Sequence, residues 1–285
     1  MTAPWISDDD CETHEWRSAL GEIIRFVTRT EAKQRMMPPV TIHSIRVPQT
    51  QGGRFRGASH NERLATIPVV VPGAQAGRAE LRRWAKALDP LKGEGTLTVV
   101  VGPNAGRQLQ CVYEAGLDDF QEEWPGLGLT VLGFRACDPY WLDSVESAAI
   151  ATINSTAYTW FPFFPLILGA SDVFAQLSIS NVGDVEAWPV ITVVGPGTDL
   201  HLTNATTGKD LLLTGAIAAG SIVSIDTRPG AKTVTIDGNN AFSRLSAASS
   251  LWPLVPGVNR VSIGFATATG ASSVKFAWRN RWLAA

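Results

Sequence analysis

The chain has 285 residues, of which 45% are hydrophobic, and a formal net charge of −2 at pH 7. The length fits one large domain or two ordinary ones, and the near-neutral charge argues against a general nucleic-acid-binding protein, which would carry a strongly basic surface. Charged residues make up only 18% of the chain, whereas 26 glycines and 17 prolines supply many turns. This composition favours a β-rich protein with short connections.

The charged residues are concentrated in the first half of the chain. Residues 1–145 hold 16 of the 24 Lys and Arg residues and 18 of the 26 Asp and Glu residues. The surface of the second half must therefore be built from Thr, Ser, Asn, Gly and apolar atoms. Such a surface resists association poorly, which is typical of a protein that works inside an assembly.

Neither cysteine spacing nor any targeting pattern assigns the chain to a secreted or membrane class. Cys11, Cys111 and Cys137 are an odd number without tight spacing, which predicts neither a disulfide framework nor a zinc site. The acidic start MTAPWISDDDCE does not resemble a signal peptide, and the most apolar run, YTWFPFFPLILGA, is too short to span a bilayer. We therefore expect synthesis in the cytoplasm and no membrane insertion.

The first predicted elements are strands with one ambiguous segment before them. Residues 16–35 fit a helix, but the β-branched run IIRFVTR also fits a strand. Residues 40–47 alternate and predict a strand, and the glycine-punctuated residues 49–57 predict a basic loop. The next strand, residues 61–73, contains two prolines, which place it near a sheet edge or a strand end.

The clearest helix of the sequence lies near 76–89. Leu81, Trp84, Ala85 and Leu88 fall on one face at three- and four-residue spacing, and Asp89-Pro90 ends the pattern. Strands are then predicted on both sides of the turn GPNAG, which indicates a hairpin, and again over the run GLGLTVLGFRA. The first half is thus predicted to be a β-sheet, barrel-like, with one packed helix.

The second half of the sequence shows a different pattern. Short strand-like runs such as WPVITVVG, SIVSIDT and NRVSIGFA recur, and turn signals such as TTGK and Asp237-Gly238 separate them. Many short strands at regular spacing indicate a sandwich or a barrel. The fold class is therefore mainly β, with an N-terminal β domain over residues 1–142 and a C-terminal β-sandwich over residues 143–285.

No pattern of catalytic, metal-binding or cofactor-binding residues emerges. The four histidines lack a partner at metal-ligand spacing, and neither a dinucleotide fingerprint, a P-loop nor a G-x-S-x-G motif is present. Carboxylates cluster over residues 8–12 and 118–123, where paired acids could hydrolyse glycosides. A solvated terminus and a polar loop explain them better, so we expect no enzyme, no metal and no cofactor.

The chain contains ten tryptophans. An exposed tryptophan on a β-sandwich can stack on a sugar ring, and Trp188 and Trp252 are the candidates for such a carbohydrate-binding role. The favoured alternative is that these side chains fill the core of the sandwich, and a third is that they lie in a subunit interface.

A basic segment surrounds the predicted loop of the first half. It contains Arg46, Arg54, Arg56 and Arg63. These side chains could contact an acidic neighbour or line a channel, or they could belong to an ordinary solvated loop.

The junction between the two halves carries the sequence GFRACDPYWLDS. Pro139 fixes its own φ and lacks a donor, and it moves Asp138 out of the helical region, so regular structure must break here. Two large aromatic residues, Tyr140 and Trp141, follow directly. We expect residues 138–141, the D-P-Y-W segment, to form a packed corner between the domains.

These pieces together resemble the distal tail proteins of bacteriophages with long, non-contractile tails. The resemblance covers most of the chain and is strongest from Gly133 onward. Its pieces are the D-P-Y-W segment, the strand entry NVGDVEAWP, the turn TTG, the strand AGSIVSID and the segment WPLVPGVN. None of these pieces is specific on its own, but their order and spacing together are specific to this family.

The resemblance implies a structural part of the virion at the distal end of the tail. Six copies of the first domain would form a ring that joins the tail tube protein to the tip or hub protein, with DNA passing through the lumen. The second domain would be a galectin-like β-sandwich that contacts receptor-binding proteins or host carbohydrate. The alternative function is a carbohydrate-binding adhesin that acts through this sandwich.

Overall fold

The chain forms two compact units, residues 1–144 together with 282–285, and residues 145–281. It passes from the first unit to the second after Ser144 and returns after Arg281. The computed structural model describes residues 12–26, 36–46, 48–49, 51–72, 74–101, 106–118, 121–124, 127–154, 173–267 and 271–285.

The first unit is made of strands and one α-helix. In chain order these are β1 (Glu12–Arg17), β2 (Ile23–Phe26), β3 (Val40–Ile45), β4 (Arg54–His60), β5 (Arg63–Pro72), α1 (Ala74–Ala87), β6 (Gly95–Val101), β7 (Arg107–Ala115), β8 (Gln121–Trp124), β9 (Leu127–Ala136) and β10 (Trp141–Asp143). A short 3-10 helix, Pro90–Lys92, follows α1 and is capped by the side chain of Asp89.

One curled, nine-stranded sheet organises this unit. One path through it runs β2-β1-β6-β7-β10 and ends on β21 (Arg281–Trp282), while β9 pairs with β5, β7 and β8. Strand β7 connects the two parts, because its first residues pair with β6 and its last ones pair with β9. The predicted barrel-like sheet with one helix is confirmed.

The side chains inside the curl form the core of the first unit. Trp16, Trp141 and Phe134 are buried there, and the rings of Trp16 and Phe134 lie 4.9 Å apart. Helix α1 adds Trp84, whose ring meets the edge of Phe26 at 5.3 Å. Burying such large apolar rings is the main source of stability for a sheet of this kind.

The helix prediction is right in position and wrong in one residue of its buried face. Leu88 and Trp84 are buried as expected, but Ala85 is exposed and Ala87 is buried instead. The backbone carbonyl of Ala87 accepts the indole N–H of Trp16 at 3.3 Å, which places this residue against the core.

Three further expectations for the first half meet different outcomes. The ambiguous segment contains strand rather than helix over residues 23–26, and residues 27–35 lie outside the described residues. The expected basic loop over residues 49–57 is partly wrong, because β4 already begins at Arg54. Strand β5 pairs only with β9 among the described strands, so its prolines do lie on a sheet edge, as predicted.

The second unit is a β-sandwich. Its strands are β11 (Ser147–Asn154), β12 (Val173–Asn181), β13 (Val190–Val194), β14 (Gly197–Asn204), β15 (Lys209–Ile217), β16 (Ile222–Asp226), β17 (Thr233–Ile236), β18 (Asn239–Asn240), β19 (Gly257–Thr267) and β20 (Ala271–Trp278). They form a six-stranded sheet in the order β11-β20-β13-β16-β17-β18 and a four-stranded sheet in the order β12-β19-β14-β15.

A single apolar cluster lies between these two sheets. It includes Ile191 and Val193 from the first sheet and Leu200 and Leu202 from the second, all completely buried. The two-residue spacing of each pair is the alternation seen in the sequence. The mainly β prediction is therefore confirmed in this unit as well.

The predicted tight turn at Asp237-Gly238 is confirmed. It joins β17 to β18, with Ile236 paired to Asn239. Both turn residues have positive φ, 49° and 80°. A two-residue hairpin loop requires this conformation, which Asp and Gly adopt more easily than other residues.

The end of β16 carries an ion pair that makes stability depend on pH. Burial raises the pKa of Asp226, but hydrogen bonds from the side chain and backbone of Arg228 outweigh it and hold that pKa below its usual value. The Asp226 carboxylate therefore stabilises the fold above the pKa of an unfolded Asp, about 3.9. That contribution disappears as the pH falls through the lower pKa of the folded state.

Replacing Asp226 with asparagine tests this pair. At pH 7 the variant is expected to lose up to about 1 kcal/mol of stability, as is usual for a half-exposed ion pair. The difference from the wild type should shrink as the pH falls below about 4 and through the lower pKa of the folded state. Urea midpoints of both proteins across this pH range measure it, and a difference that stays constant with pH would contradict the assignment.

Candidate assembly surface

Strands β3 and β4 form a two-stranded sheet of their own, here called the hairpin. Within the described part of the chain they pair with no third strand. Val40 lies opposite His60 and Ile42 opposite Ala58, and a bulge follows His43. An isolated two-stranded hairpin is at best marginally stable in water, so the hairpin must gain stability from another contact.

The two faces of the hairpin differ in chemistry. Val40, Ile42 and Phe55 share one face with Ala58, and their exposed fractions are 41%, 68% and 70%. The opposite face is polar: the amide of Asn61 donates to Thr41 Oγ1 at 2.7 Å, and His43 Nε2 lies 3.2 Å from Ser59 Oγ. Ile45, 48% exposed, is the large apolar residue of that polar face.

Two exposed methionines lie close to the hairpin in sequence. Met36 and Met37, which Pro38 and Pro39 separate from β3, are 69% and 64% exposed. Thioether side chains adapt to irregular partners and are enriched in interfaces. Several large exposed apolar residues on one hairpin face mark an interaction site, whereas single exposed apolar residues are normal.

The base of the hairpin is held firmly to the rest of the first unit. The backbone N–H of Asn61 donates to the carbonyl of Pro39 at 2.8 Å and joins the two strands at this end of the hairpin. Tyr140 of the D-P-Y-W segment places its hydroxyl 2.7 Å from Nδ1 of His60, and the two rings meet edge to face at 5.6 Å. The hairpin is therefore attached at one end and open along its apolar face.

Arg63, the residue that begins β5, completes this attachment. Its side chain is fully buried and donates to three backbone carbonyls: Pro139 at 2.8 Å, Met36 at 2.8 Å and Leu283 at 2.7 Å. The guanidinium also lies over the Trp141 ring at 5.7 Å. Burial lowers the pKa of Arg63 to about 10, which leaves it charged at neutral pH.

The four arginines of the basic segment therefore fall into two groups, one buried and three exposed. Arg63 is buried inside the first unit, so the expectation that it contacts a partner or lines a channel is wrong. Arg46, Arg54 and Arg56 are exposed, and Arg54 and Arg56 belong to strand β4 rather than to a loop. For these three a partner or channel contact stays a prediction.

The D-P-Y-W segment lies within the first unit. Trp141 is fully buried in its core, Pro139 supplies a carbonyl to Arg63, and the carboxylate of Asp138 accepts the backbone N–H of Tyr140 at 3.4 Å. The Tyr140 hydroxyl lies beside His60, and the Trp141 ring lies beside the guanidinium of Arg63. A further role as the corner between the domains stays a prediction.

The two candidate sugar-stacking tryptophans have different environments. Trp252 is 1% exposed and stacks on Phe276 at 6.2 Å inside the sandwich core, so its ring offers no face to a ligand. The carbohydrate role expected for Trp252 is therefore wrong in this structure, and core packing, the favoured alternative, describes it. Trp188 is half-buried, and its role stays a prediction.

The remaining candidates for chemistry form no site in the described residues. Among them, no three His, Cys, Asp or Glu side chains lie close enough together to hold a metal ion. Of the carboxylate clusters, Asp118 is exposed and the side chains of residues 8–12 and 119–123 lie outside the description. Cys111 is buried, which raises the pKa of its thiol far above the usual range and keeps it unreactive.

No described helix is long and apolar enough to cross a membrane.

Sequence reasoning missed the apolar surface of the hairpin. Val40 and Ile42 were read as an ordinary strand, and Phe55 was assigned to a loop. The available signal was the run MMPPVTIHSI, in which five large apolar residues precede a polar loop without a nearby helix to cover them. Exposure could not be read from it, because a covered strand and an open one have the same alternation.

Comparison with known families gives a match within the second half of the chain. Residues 182–282 match the family described as siphovirus-type tail component, C-terminal domain. This confirms the resemblance found in the sequence over the region where its motifs were strongest. No curated protein matches the whole sequence.

Comparison with solved structures extends the likeness to the first half. The chain is similar to SPP1 Dit, a hub component of the adsorption apparatus of phages that infect Gram-positive bacteria, with 15% identity, a TM-score of 0.68, and coverage of 95% of this chain and 99% of that one. It is also similar to a chain of the phage P2 baseplate in its activated conformation with Ca, with 9% identity, a TM-score of 0.53, and coverage of 93% and 98%. At these identities the likeness establishes the shared fold.

Proposed function

We propose that this chain is the ring-forming structural protein of a phage tail tip or baseplate, because residues 182–282 match the siphovirus-type tail component family. Six copies of the first unit form a closed ring at the distal end of the tail, and the ring joins the tail tube protein to the hub protein. The observation that carries this proposal is the open apolar face of the hairpin.

The hairpin has the properties that a subunit contact in a ring requires. Each copy in a cyclic ring uses two different surfaces, one for each neighbour. The face formed by Val40, Ile42 and Phe55 is one such surface, and the anchors at His60 and Arg63 fix the base from which it projects. Burying it on a second copy supplies the contact that an isolated two-stranded sheet lacks.

The other partners follow from the same proposal. DNA passes through the lumen of the ring, and the exposed Arg46, Arg54 and Arg56 contact either an acidic neighbouring protein or the lumen. The second unit contacts receptor-binding proteins. Proteins of this family are structural and typically not enzymes, and the proposal assigns no catalytic step to the chain.

The test combines native mass spectrometry with negative-stain imaging over a range of protein concentrations. The wild type is expected to form closed six-fold rings. A variant with Ile42→Thr and Phe55→Thr should need at least tenfold more protein to form them, because both changes remove apolar area while threonine keeps a high strand propensity.

The matched control carries two threonines elsewhere in the first unit. Leu20 and Leu91 are 70% and 94% exposed, away from the hairpin. Leu20→Thr with Leu91→Thr should leave ring formation unchanged. If the hairpin variant assembles like the wild type, the hairpin is not the subunit contact. If the wild type stays monomeric even with tail tube and hub proteins added, the ring proposal itself fails.

A further inference from the structure

The last four residues of the sequence, 282–285, belong to the first unit although they follow the second unit along the chain. Trp282 and Ala285 are partly buried against the apolar core of the first unit. Strand β21, which contains Trp282, ends one path of the nine-stranded sheet beside β10. Residues 282–285, here called the strap, therefore complete a unit whose other strands come from the first half of the chain.

Arg107 and Asp143 hold the strap against the sheet. The guanidinium of Arg107 lies over the Trp282 ring, 4.0 Å from its centre, and Arg107 Nη1 donates to the carbonyl of Ala284. The indole N–H of Trp282 donates to Asp143 Oδ1 at 2.7 Å. Arg107 and Asp143 lie opposite each other in the pairing of β7 with β10. These directed contacts to two paired strands hold the strap in one position.

Arg63 joins the strap to the base of the hairpin. Its Nη2 atom donates to the carbonyl of Leu283 at 2.7 Å, and its Nη1 atom donates to the carbonyl of Met36, shortly before β3, at 2.8 Å. The Arg63 side chain is fully buried, and a buried donor that loses an acceptor carries a cost in free energy. Because the guanidinium is a rigid planar fork, the release of Leu283 also loosens the contact with Met36.

The order of the chain makes the strap the last of these parts to be synthesised. Arg63, Arg107 and the hairpin precede the second unit in the sequence, and the strap follows it. The N-terminal part of a chain folds first during synthesis. Arg63 therefore acquires its Leu283 partner only after all of the second unit has been made.

We propose that docking of the strap fixes the hairpin in the arrangement that joins subunits, so that a copy becomes competent for assembly only after its second unit has been made. The link runs from Trp282 through Leu283 and Arg63 to Met36. Such coupling is reciprocal: a released strap loosens the hairpin, and a hairpin buried on a neighbouring copy tightens the strap. The step from the hairpin to the subunit contact rests on the proposed function, whereas the coupling between strap and hairpin does not.

The test releases the strap without changing the hairpin or Arg63. Trp282→Ala removes the ring beneath Arg107 and the donor to Asp143. Hydrogen exchange of the full chain, measured by mass spectrometry below the concentration of ring formation, should be at least tenfold faster in the hairpin and the strap and unchanged in β13 and β16. In native mass spectrometry, the variant should need at least tenfold more protein than the wild type to form rings.

Arg107→Gln repeats the test from the other side of the same contact. It removes the cation over Trp282 and the donor to Ala284 while the apolar core keeps all its side chains, so it decides the question if Trp282→Ala unfolds the first unit. The matched control is Arg25→Gln. Arg25 lies in the same nine-stranded sheet, its side chain is 84% exposed, and it pairs with Glu15 at 3.1 Å. This control should change neither hairpin exchange nor ring formation.

A double variant tests whether the link runs through Arg63. Trp282→Ala added to Arg63→Met should accelerate hairpin exchange no further than Arg63→Met alone, whereas two independent effects would add. Additive effects would contradict the proposal, as would strap variants that leave hairpin exchange at the wild-type rate.

Ring formation separates this inference from the proposed function. Strap variants that loosen the hairpin but form rings at the wild-type concentration would show that the strap does not control assembly. A wild type that forms no ring, although its hairpin responds to the strap, would overturn the proposed function and the step to assembly, and the coupling between strap and hairpin would stand.

Discussion

A Trp252→Ala variant is expected to lose about 3–5 kcal/mol of stability in the second unit, as usual for removing a large buried aromatic side chain. The Trp252 ring is 1% exposed and stacks on Phe276 between the two sheets. Alanine would leave a cavity that the two paired sheets cannot close without breaking their registers. Since a domain is stable by only about 5–15 kcal/mol, this loss is a large fraction of the total.

Hydrogen exchange followed by mass spectrometry measures this effect in each unit separately. Peptides from β13 and β16 should lose protection in the Trp252→Ala variant, while peptides from β5 and β9 keep theirs. Trp252→Phe is the matched control: it keeps an aromatic ring on Phe276 and removes an indole N–H that has no acceptor among the described residues. It should lose clearly less stability than alanine, and equal protection in all three proteins would show that the ring does not support the core.

Replacing Arg63 with methionine should destabilise the first unit by about 3 kcal/mol or more. Methionine fills much of the same volume, but it leaves the carbonyls of Pro139, Met36 and Leu283 without their donor. A buried acceptor that loses its partner costs about 1–3 kcal/mol. The variant avoids the cost of removing a guanidinium from water on folding, but this offsets only part of the loss, because the lost hydrogen bonds are charge-assisted.

Arg63→Lys is the informative companion of this variant. Lysine keeps the positive charge, but its single ammonium lacks the planar fork that reaches three separate carbonyls. Both variants should raise hydrogen exchange in the hairpin and in the C-terminal residues 282–285 before they affect the second unit. If Arg63→Met is as stable as the wild type, the three hydrogen bonds contribute nothing net, and they do not anchor the hairpin.

The strands of the second unit were predictable because each is a local pattern. Residues that alternate between apolar and polar, such as those of β14, predict a strand with one apolar face, and this prediction needs no knowledge of the partner strands. The turn at Asp237-Gly238 is equally local, since its conformation depends on two residues. The family resemblance also came from the order of such local pieces and was confirmed over residues 182–282.

Which residues become neighbours in the second unit was not predictable, because its paired strands come from distant parts of the chain. His201 and Gly264 are 63 positions apart and meet only through the pairing of β14 with β19. Sequence reasoning instead favoured the most visible residue type and singled out Trp252, which is buried. Burying a large aromatic side chain in the core stabilises the fold, whereas leaving it exposed at the surface does not.

The sequence by itself determined the mainly β fold, the single helix and the kinship with phage tail components, because strand alternation, turn residues and motif order are properties of short segments. Only the tertiary structure decided the role of Arg63, whose carbonyl partners lie 27, 76 and 220 positions away along the chain. Only the tertiary structure, too, showed that Ile42 and Phe55 are uncovered. Burial depends on what the rest of the chain places beside a residue, and a local pattern carries no information about contacts across such separations.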